Sequence, residues 1–157
     1  MSILIKSGRI IDPYQWLDFI GDLWLQNGVV KGLEKYIDVP QQTQVVDARG
    51  LVVCPGFIDI HCHLREPGDQ DKETIATGTL AAARGGFTTV CAMPNTNPPA
   101  DNASVVEFIL GRARQNGSVR VLPIGCITRA RAGEVLADLA ELAQAGVVAF
   151  SDDGNPV

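Results

Sequence analysis

The sequence predicts an α/β protein: a β-rich segment over residues 1–54, then the first four βα units of a (β/α)8 barrel over residues 55–157. Three observations predict it. Apolar, strand-like runs start near residues 57, 88, 119 and 147, with a helical stretch between each and the next. A spacing of about 30 residues is that of a βα repeat, and such connections make successive strands parallel neighbours. His61, His63, Arg65, Asn95, Asp152 and Asp153 all fall at or just beyond the C-terminal end of one of these strands, which is where barrel enzymes carry their chemistry. A doubly wound sheet would instead need a glycine-rich phosphate turn after its first strand, and Leu64-Arg65-Glu66-Pro67 is not one.

Each element follows from local chemistry. Ile3 and Ile5 alternate before Ser7-Gly8, and Arg9-Ile10-Ile11 resumes the strand. Asp22 to Gln26 meets Asn27-Gly28 and then Val29-Val30-Lys31; Asn-Gly between two such runs specifies a hairpin, because a type I′ turn needs positive φ at both positions. A second hairpin is expected at Arg49-Gly50, joining residues 44–48 to residues 51–54. Past Pro55-Gly56 come a strand over 57–63 and a helix from Glu73 to Arg84, closed by Gly85-Gly86. The strand Phe87 to Met93 is broken by Pro94-Asn95, and the following helix has Asp101 or Asn102 as its N-cap and Gly117 past its end. Val119 to Ile124 is the third strand. Glu134 to Ala145 reads as a helix with Val135, Leu136, Leu139, Leu142 and Ala143 on one face. The fourth strand, Val147 to Phe150, runs into Ser151-Asp152-Asp153-Gly154.

Composition narrows the function classes. A formal charge of −5, with four scattered lysines, leaves no basic footprint for nucleic acid and no polybasic run for a membrane surface. The amino terminus is too soon broken by Lys6 to be a signal peptide, and no apolar stretch approaches the roughly 20 residues needed to span a bilayer. Cys54, Cys62, Cys91 and Cys126 show no Cys-x-x-Cys spacing and lie in apolar runs, as buried thiols of a cytoplasmic protein do.

The two histidines of the chain, His61 and His63, are one residue apart in Phe57-Ile58-Asp59-Ile60-His61-Cys62-His63-Leu64-Arg65. Strand alternation turns both imidazoles and Asp59 to one side, with Ile58, Ile60 and Cys62 on the other. Two imidazoles displayed together are most of a divalent-metal site, and Zn²⁺ takes histidine nitrogen readily. The pair ends an apolar strand that follows Pro55-Gly56 and precedes an arginine, a context that points to an enzyme site. Asp59, on the same side, is placed either to orient an imidazole N–H or to make a plain structural hydrogen bond. The planar fork of Arg65 suits a carboxylate bidentately.

The run Pro55 to Arg65, with Gly85-Gly86-Phe87-Thr88-Thr89, Met93-Pro94-Asn95-Thr96 and Phe150-Ser151-Asp152-Asp153-Gly154, resembles the amidohydrolase superfamily, and within it the type I dihydroorotases. The resemblance covers essentially the whole chain. It implies that the β-rich start belongs to a small sandwich domain and that the barrel is metal-dependent. By the same resemblance His61, His63 and Asp153 bind one or two Zn²⁺ ions, and Arg65 and Asn95, with His63, hold the substrate carboxylate. The reaction it implies is the interconversion of N-carbamoyl-L-aspartate and L-dihydroorotate in pyrimidine synthesis, in a cytoplasmic homo-oligomer with aspartate transcarbamoylase as a possible partner. The related dihydropyrimidinases, hydantoinases and allantoinases carry a metal-bridging lysine near the end of the fourth strand, whereas no lysine follows Lys72 here. A further rival is a non-catalytic dihydroorotase-like partner of aspartate transcarbamoylase, but such chains tend to lose the histidine pair. The acid–base aspartate of the family is expected beyond Val157, so no catalytic residue is assigned within 1–157.

Residues 1–157 alone are therefore expected to be inactive and to self-associate. Four strands leave two unpaired barrel edges, and positioned acid–base catalysis, typically worth about 10²–10⁴-fold, would be missing. Size-exclusion chromatography with a dihydroorotate assay checks this; a monomer with ordinary enzymatic turnover would refute it.

Overall fold

Five strands build the first of the two units into which the chain divides, Met1–Pro55; the second is Gly56–Val157. The computed structural model describes all residues, 1–157. In the first unit β1 (Ser2–Asp12), β2 (Leu17–Gln26), β3 (Val29–Glu34), β4 (Gln44–Asp47) and β5 (Val52–Val53) form one mixed sheet, in the order β3-β2-β1-β4 with β5 also beside β1. The β2–β3 hairpin turns through Asn27 (φ 52°) and Gly28 (φ 80°), the two positive φ angles that Asn-Gly supplies. Within β1 the pairing to β2 shifts between Ile5 and Gly8, around Ser7 at φ 60°. The buried Asp22 carboxylate holds this bulge: it accepts the amides of Ser7 (2.8 Å) and Ile37 (3.0 Å).

The hairpin expected at Arg49-Gly50 does not form. β4 and β5 both run parallel to β1, beside Ile3–Lys6 and Arg9–Ile10 respectively, and do not pair with each other. The turn from Ala48 to Leu51, with Gly50 at φ 78°, offsets the chain without reversing it. The ladder resumes on either side, Ala48 N–H donating to the Lys6 carbonyl and Arg9 N–H to the Leu51 carbonyl. The break falls opposite the Ser7 bulge, so two irregular strands match each other. A turn signal specifies a local bend; whether the chain doubles back depends on which partner offers hydrogen bonds.

The second unit alternates as the sequence predicts. β6 (Phe57–Cys62), α1 (Ile75–Arg84), β7 (Phe87–Ala92), α2 (Ala103–Asn116), β8 (Arg120–Gly125), α3 (Leu139–Ala145) and β9 (Ala149–Phe150) follow in order. The sheet runs β6-β7-β8-β9, every pair parallel. Thr74 and Thr77 close a capping box on α1, and Asn102 Oδ1 accepts the Val105 amide at the start of α2. Val90, Ala92 and Val121 pack beneath Ile75, Val106, Ile109 and Leu142, all buried. Cys91, Met93 and Ile124 form a second cluster. Alternation along β7 places the two clusters on opposite sheet faces, and apolar residues on both are the mark of a parallel sheet.

One helix is shorter than expected. Residues 134–138 are not helical, and α3 begins only at Leu139 behind an Asp138 cap whose side chain accepts the Glu141 amide (2.9 Å). The preceding residues fold against 127–129 instead: Thr128 and Leu136 form an antiparallel bridge, Arg129 donates to the Val135 carbonyl and Ala137 to that of Ile127. Val135 and Leu136 therefore stand exposed at 56% and 61%. Ile109→Ala should destabilise the protein by about 2–5 kcal/mol, while Val135→Ala should stay within about 0.5 kcal/mol. Urea denaturation of both variants tests this; a comparable loss from Val135→Ala would restore residues 134–138 to a packed helix.

Candidate metal centre

Four parallel strands send all their C-terminal ends to one side, and the candidate residues follow those ends. His61 lies near the end of β6 and His63 just past it; Asn95 follows β7, and Asp153 lies three residues beyond β9. β6 and β9 are separated by β7 and β8, so in a flat sheet they would stand about 14 Å apart, three spacings of roughly 4.8 Å. Yet His61 Nε2 is 3.2 Å from Asp153 Oδ1. The sheet is curled, as the first half of a barrel must be.

Nitrogen or oxygen atoms of His61, His63 and Asp153, one from each, all lie within 4.8 Å of one another. The two imidazole rings are 5.2 Å apart and inclined by 74°. Ligands at about 2.0–2.1 Å around a tetrahedral zinc ion sit roughly 3.3 Å from each other. The His61–Asp153 separation fits that spacing, and imidazole with carboxylate is a donor set suited to Zn²⁺. Asn95 joins the other two: its Nδ2 donates to Asp153 Oδ2 (2.8 Å), and its Oδ1 lies 2.9 Å from His63 Nδ1.

The two adjacent aspartates take different parts. Asp152 is buried and accepts the amides of Ile127 (2.8 Å) and Thr128 (3.1 Å) and the Thr128 hydroxyl. Those bonds pin the loop after β8 to the end of β9. Asp153, at φ 55°, turns the other way toward the histidines, its own amide donating to Ser151 Oγ (2.9 Å). The strained backbone is held by its neighbours, as such conformations at functional sites generally are.

Of its two expected roles, Asp59 takes the structural one. Its Oδ1 accepts the backbone N–H of His61 (3.0 Å) rather than an imidazole N–H. The β6–β7 pairing shifts between Asp59 and Cys62, so simple alternation fails there, and Asp59, Cys62 and His63 line one cavity of about 240 Å³. Burial, with smaller contributions from Asp59 and Cys91, pushes the Cys62 thiol up to about 12. That burial keeps Cys62 in its thiol form at neutral pH. Arg65, at φ 58°, belongs to the loop leaving β6, and its guanidinium enters none of the ion pairs of the chain. A larger cavity of about 450 Å³ in the first unit, lined mainly by Ile10, Leu23, Leu33 and Val53, has no comparable donor set.

Arg131 is a residue that sequence reasoning missed. Its Nε and Nη2 donate to the Asp152 carbonyl (3.1 and 2.9 Å), and Nη2 stands 3.8 Å from Asp153 Oδ2. Nothing in Arg129-Ala130-Arg131-Ala132-Gly133 distinguishes it from Arg129. Only positive φ at both Ala130 and Arg131 turns its side chain onto the end of β9.

Known proteins share both the sequence and the fold of this chain. The chain is 50% identical over its whole length to the dihydroorotases of Geobacter metallireducens and Aquifex aeolicus, and it spans 37% of the length of each. Among solved structures, L-hydantoinase from Arthrobacter aurescens shares the fold with a TM-score of 0.80 at 23% identity, over 99% of this chain and 35% of that one. A D-hydantoinase from Thermus sp. matches 80% of this chain and 28% of its own at a TM-score of 0.67 and 27% identity. The Dihydro-orotase-like family profile matches residues 50–157, and with the curled parallel half-barrel and the residues at its strand ends this places the chain in the dihydro-orotase-like family.

Proposed function

We propose that the protein carrying this sequence is a zinc-dependent dihydroorotase that interconverts N-carbamoyl-L-aspartate and L-dihydroorotate in pyrimidine synthesis. The observation that carries the reading is the meeting of His61, His63 and Asp153 across a four-stranded sheet. These residues would hold the metal, one ion or two. When bound, it would supply Lewis-acid polarisation of a carbonyl and acidify a bound water.

The remaining side chains would bind and orient. Arg65 offers a planar pair of N–H donors to a substrate carboxylate. Asn95 uses one Nδ2 hydrogen on Asp153 and keeps the second for the same carboxylate, since an amide nitrogen carries two. Arg131 and Asp152 hold the loop from which Asp153 projects. A cyclic amide with a carboxylate beside the ring nitrogen fits this set better than a neutral ring does, because two donors would otherwise lack an acceptor.

The segment after β9 bears on the rival reading. Ser151-Asp152-Asp153 stands where a hydantoinase-type enzyme would place a bridging lysine, and Asp153 reaches His61 directly. A cytoplasmic setting and a homo-oligomer, with aspartate transcarbamoylase as a partner, belong to the same proposal. No helix of the structure is long and apolar enough to cross a membrane.

Elemental analysis of the full-length protein should find zinc, and His61→Asn or His63→Asn should lose both metal and dihydroorotate turnover. Metal-free wild-type protein with full activity would refute the proposal. Arg65→Ala should keep its metal yet lose about one to two decades in kcat/KM, the equivalent of about 1.5–3 kcal/mol for a charge-assisted hydrogen bond. Unchanged kinetics would remove Arg65 from the substrate site.

A further inference from the structure

We infer that Asn95 sets the tautomer of His63 and thereby decides which imidazole nitrogen is offered to a metal ion; this deepens the metal-centre reading and rests on it. A neutral imidazole carries one proton and can place it on either nitrogen. A ligand must present the bare one.

The carboxylate of Asp153 determines the choice. An ionised carboxylate only accepts hydrogen bonds, so the group 2.8 Å from Asp153 Oδ2 must be the NH₂ of Asn95. Turning the amide over would set its carbonyl oxygen against the carboxylate, acceptor against acceptor. With Nδ2 on Asp153, Oδ1 faces His63 Nδ1 at 2.9 Å. A carboxamide oxygen also only accepts, so Nδ1 must bear the proton and the lone pair stays on Nε2. The order of cause runs from Asp153 to Asn95 to His63.

The backbone makes this relay rigid. Met93 N–H bonds to the Cys62 carbonyl (2.9 Å), tying the end of β7 to the residue before His63. Pro94 is fully buried, and its ring fixes φ; its carbonyl accepts the Ala100 amide (3.1 Å). Asn95 is itself half-buried, so water competes weakly for its amide. Asn95 is in this sense a positioning residue: it acts on the metal through His63 and Asp153, while its spare N–H remains for substrate.

The test uses the full-length protein, stripped of metal and labelled with ¹⁵N at histidine, His63 being assigned by difference against His63→Gln. Long-range proton–nitrogen correlation should show His63 in the Nδ1–H form. Asn95→Ala should spread the proton over both nitrogens and weaken Zn²⁺ binding, read by competition with a chromophoric chelator, by about 10–100-fold. Wild-type His63 protonated at Nε2 would overturn the inference without recourse to any variant, as would an unchanged tautomer in a folded Asn95→Ala. Failure of the wild type to bind Zn²⁺ would instead overturn the metal-centre reading, whatever tautomer His63 shows.

Discussion

Parallel pairing from β6 to β9 gives every strand of the second unit the same polarity, and the curl of that sheet then brings its first and last strand ends together. Without parallel pairing the histidines after β6 and the aspartate after β9 would emerge on different sides. Without curl they would stand a sheet's width apart. Apolar residues on both faces drive the packing: one face buries Val90, Ala92 and Val121 under the helices, while the other carries Cys91, Met93 and Ile124. Hydrophobic burial therefore places the polar groups, although none of them belongs to the core.

Precision at the strand ends comes from buried hydrogen bonds rather than from burial of apolar surface. Asp152 is the main anchor, taking two amides and a hydroxyl of the loop after β8 into a water-excluded position. An acceptor satisfied this fully costs little to bury, whereas removing it would leave several donors unpaired. Arg131 adds a second clamp on the same peptide. With residue 152 fixed, residue 153 has little freedom, and its carboxylate meets His61 and Asn95. Asp22 plays a comparable part in the first unit, where its buried carboxylate holds the Ser7 bulge and the amide of Ile37.

The misread segments share a cause. At Arg49-Gly50 and at 134–138 the local signals were sound: a glycine turn, and apolar spacing compatible with a helix. In both cases the outcome depended on a distant backbone that offered hydrogen bonds, β1 in the first and residues 127–129 in the second. The facing of the side chains along β6 departs from simple alternation for a related reason. Alternation over Asp59 to His63 holds only while pairing to β7 is regular, and it shifts just there.

By itself the sequence determined the alternation of strand and helix after Pro55, the parallel order that such alternation requires, and the Asn27-Gly28 hairpin. These depend on periodicity and on turn residues, which act over a few neighbours. It also placed His61, His63, Asn95 and Asp153 at strand ends, since a position along a strand is a local property. Only the tertiary structure decided which of two consecutive aspartates turns inward, that Arg131 rather than Arg129 reaches the end of β9, and that Asp59 binds a backbone amide. Each of those outcomes is set by the direction of a single side chain, and a direction is fixed by contacts among residues 20 to 60 positions apart or by one bulge in a strand. No periodicity in the chain records them.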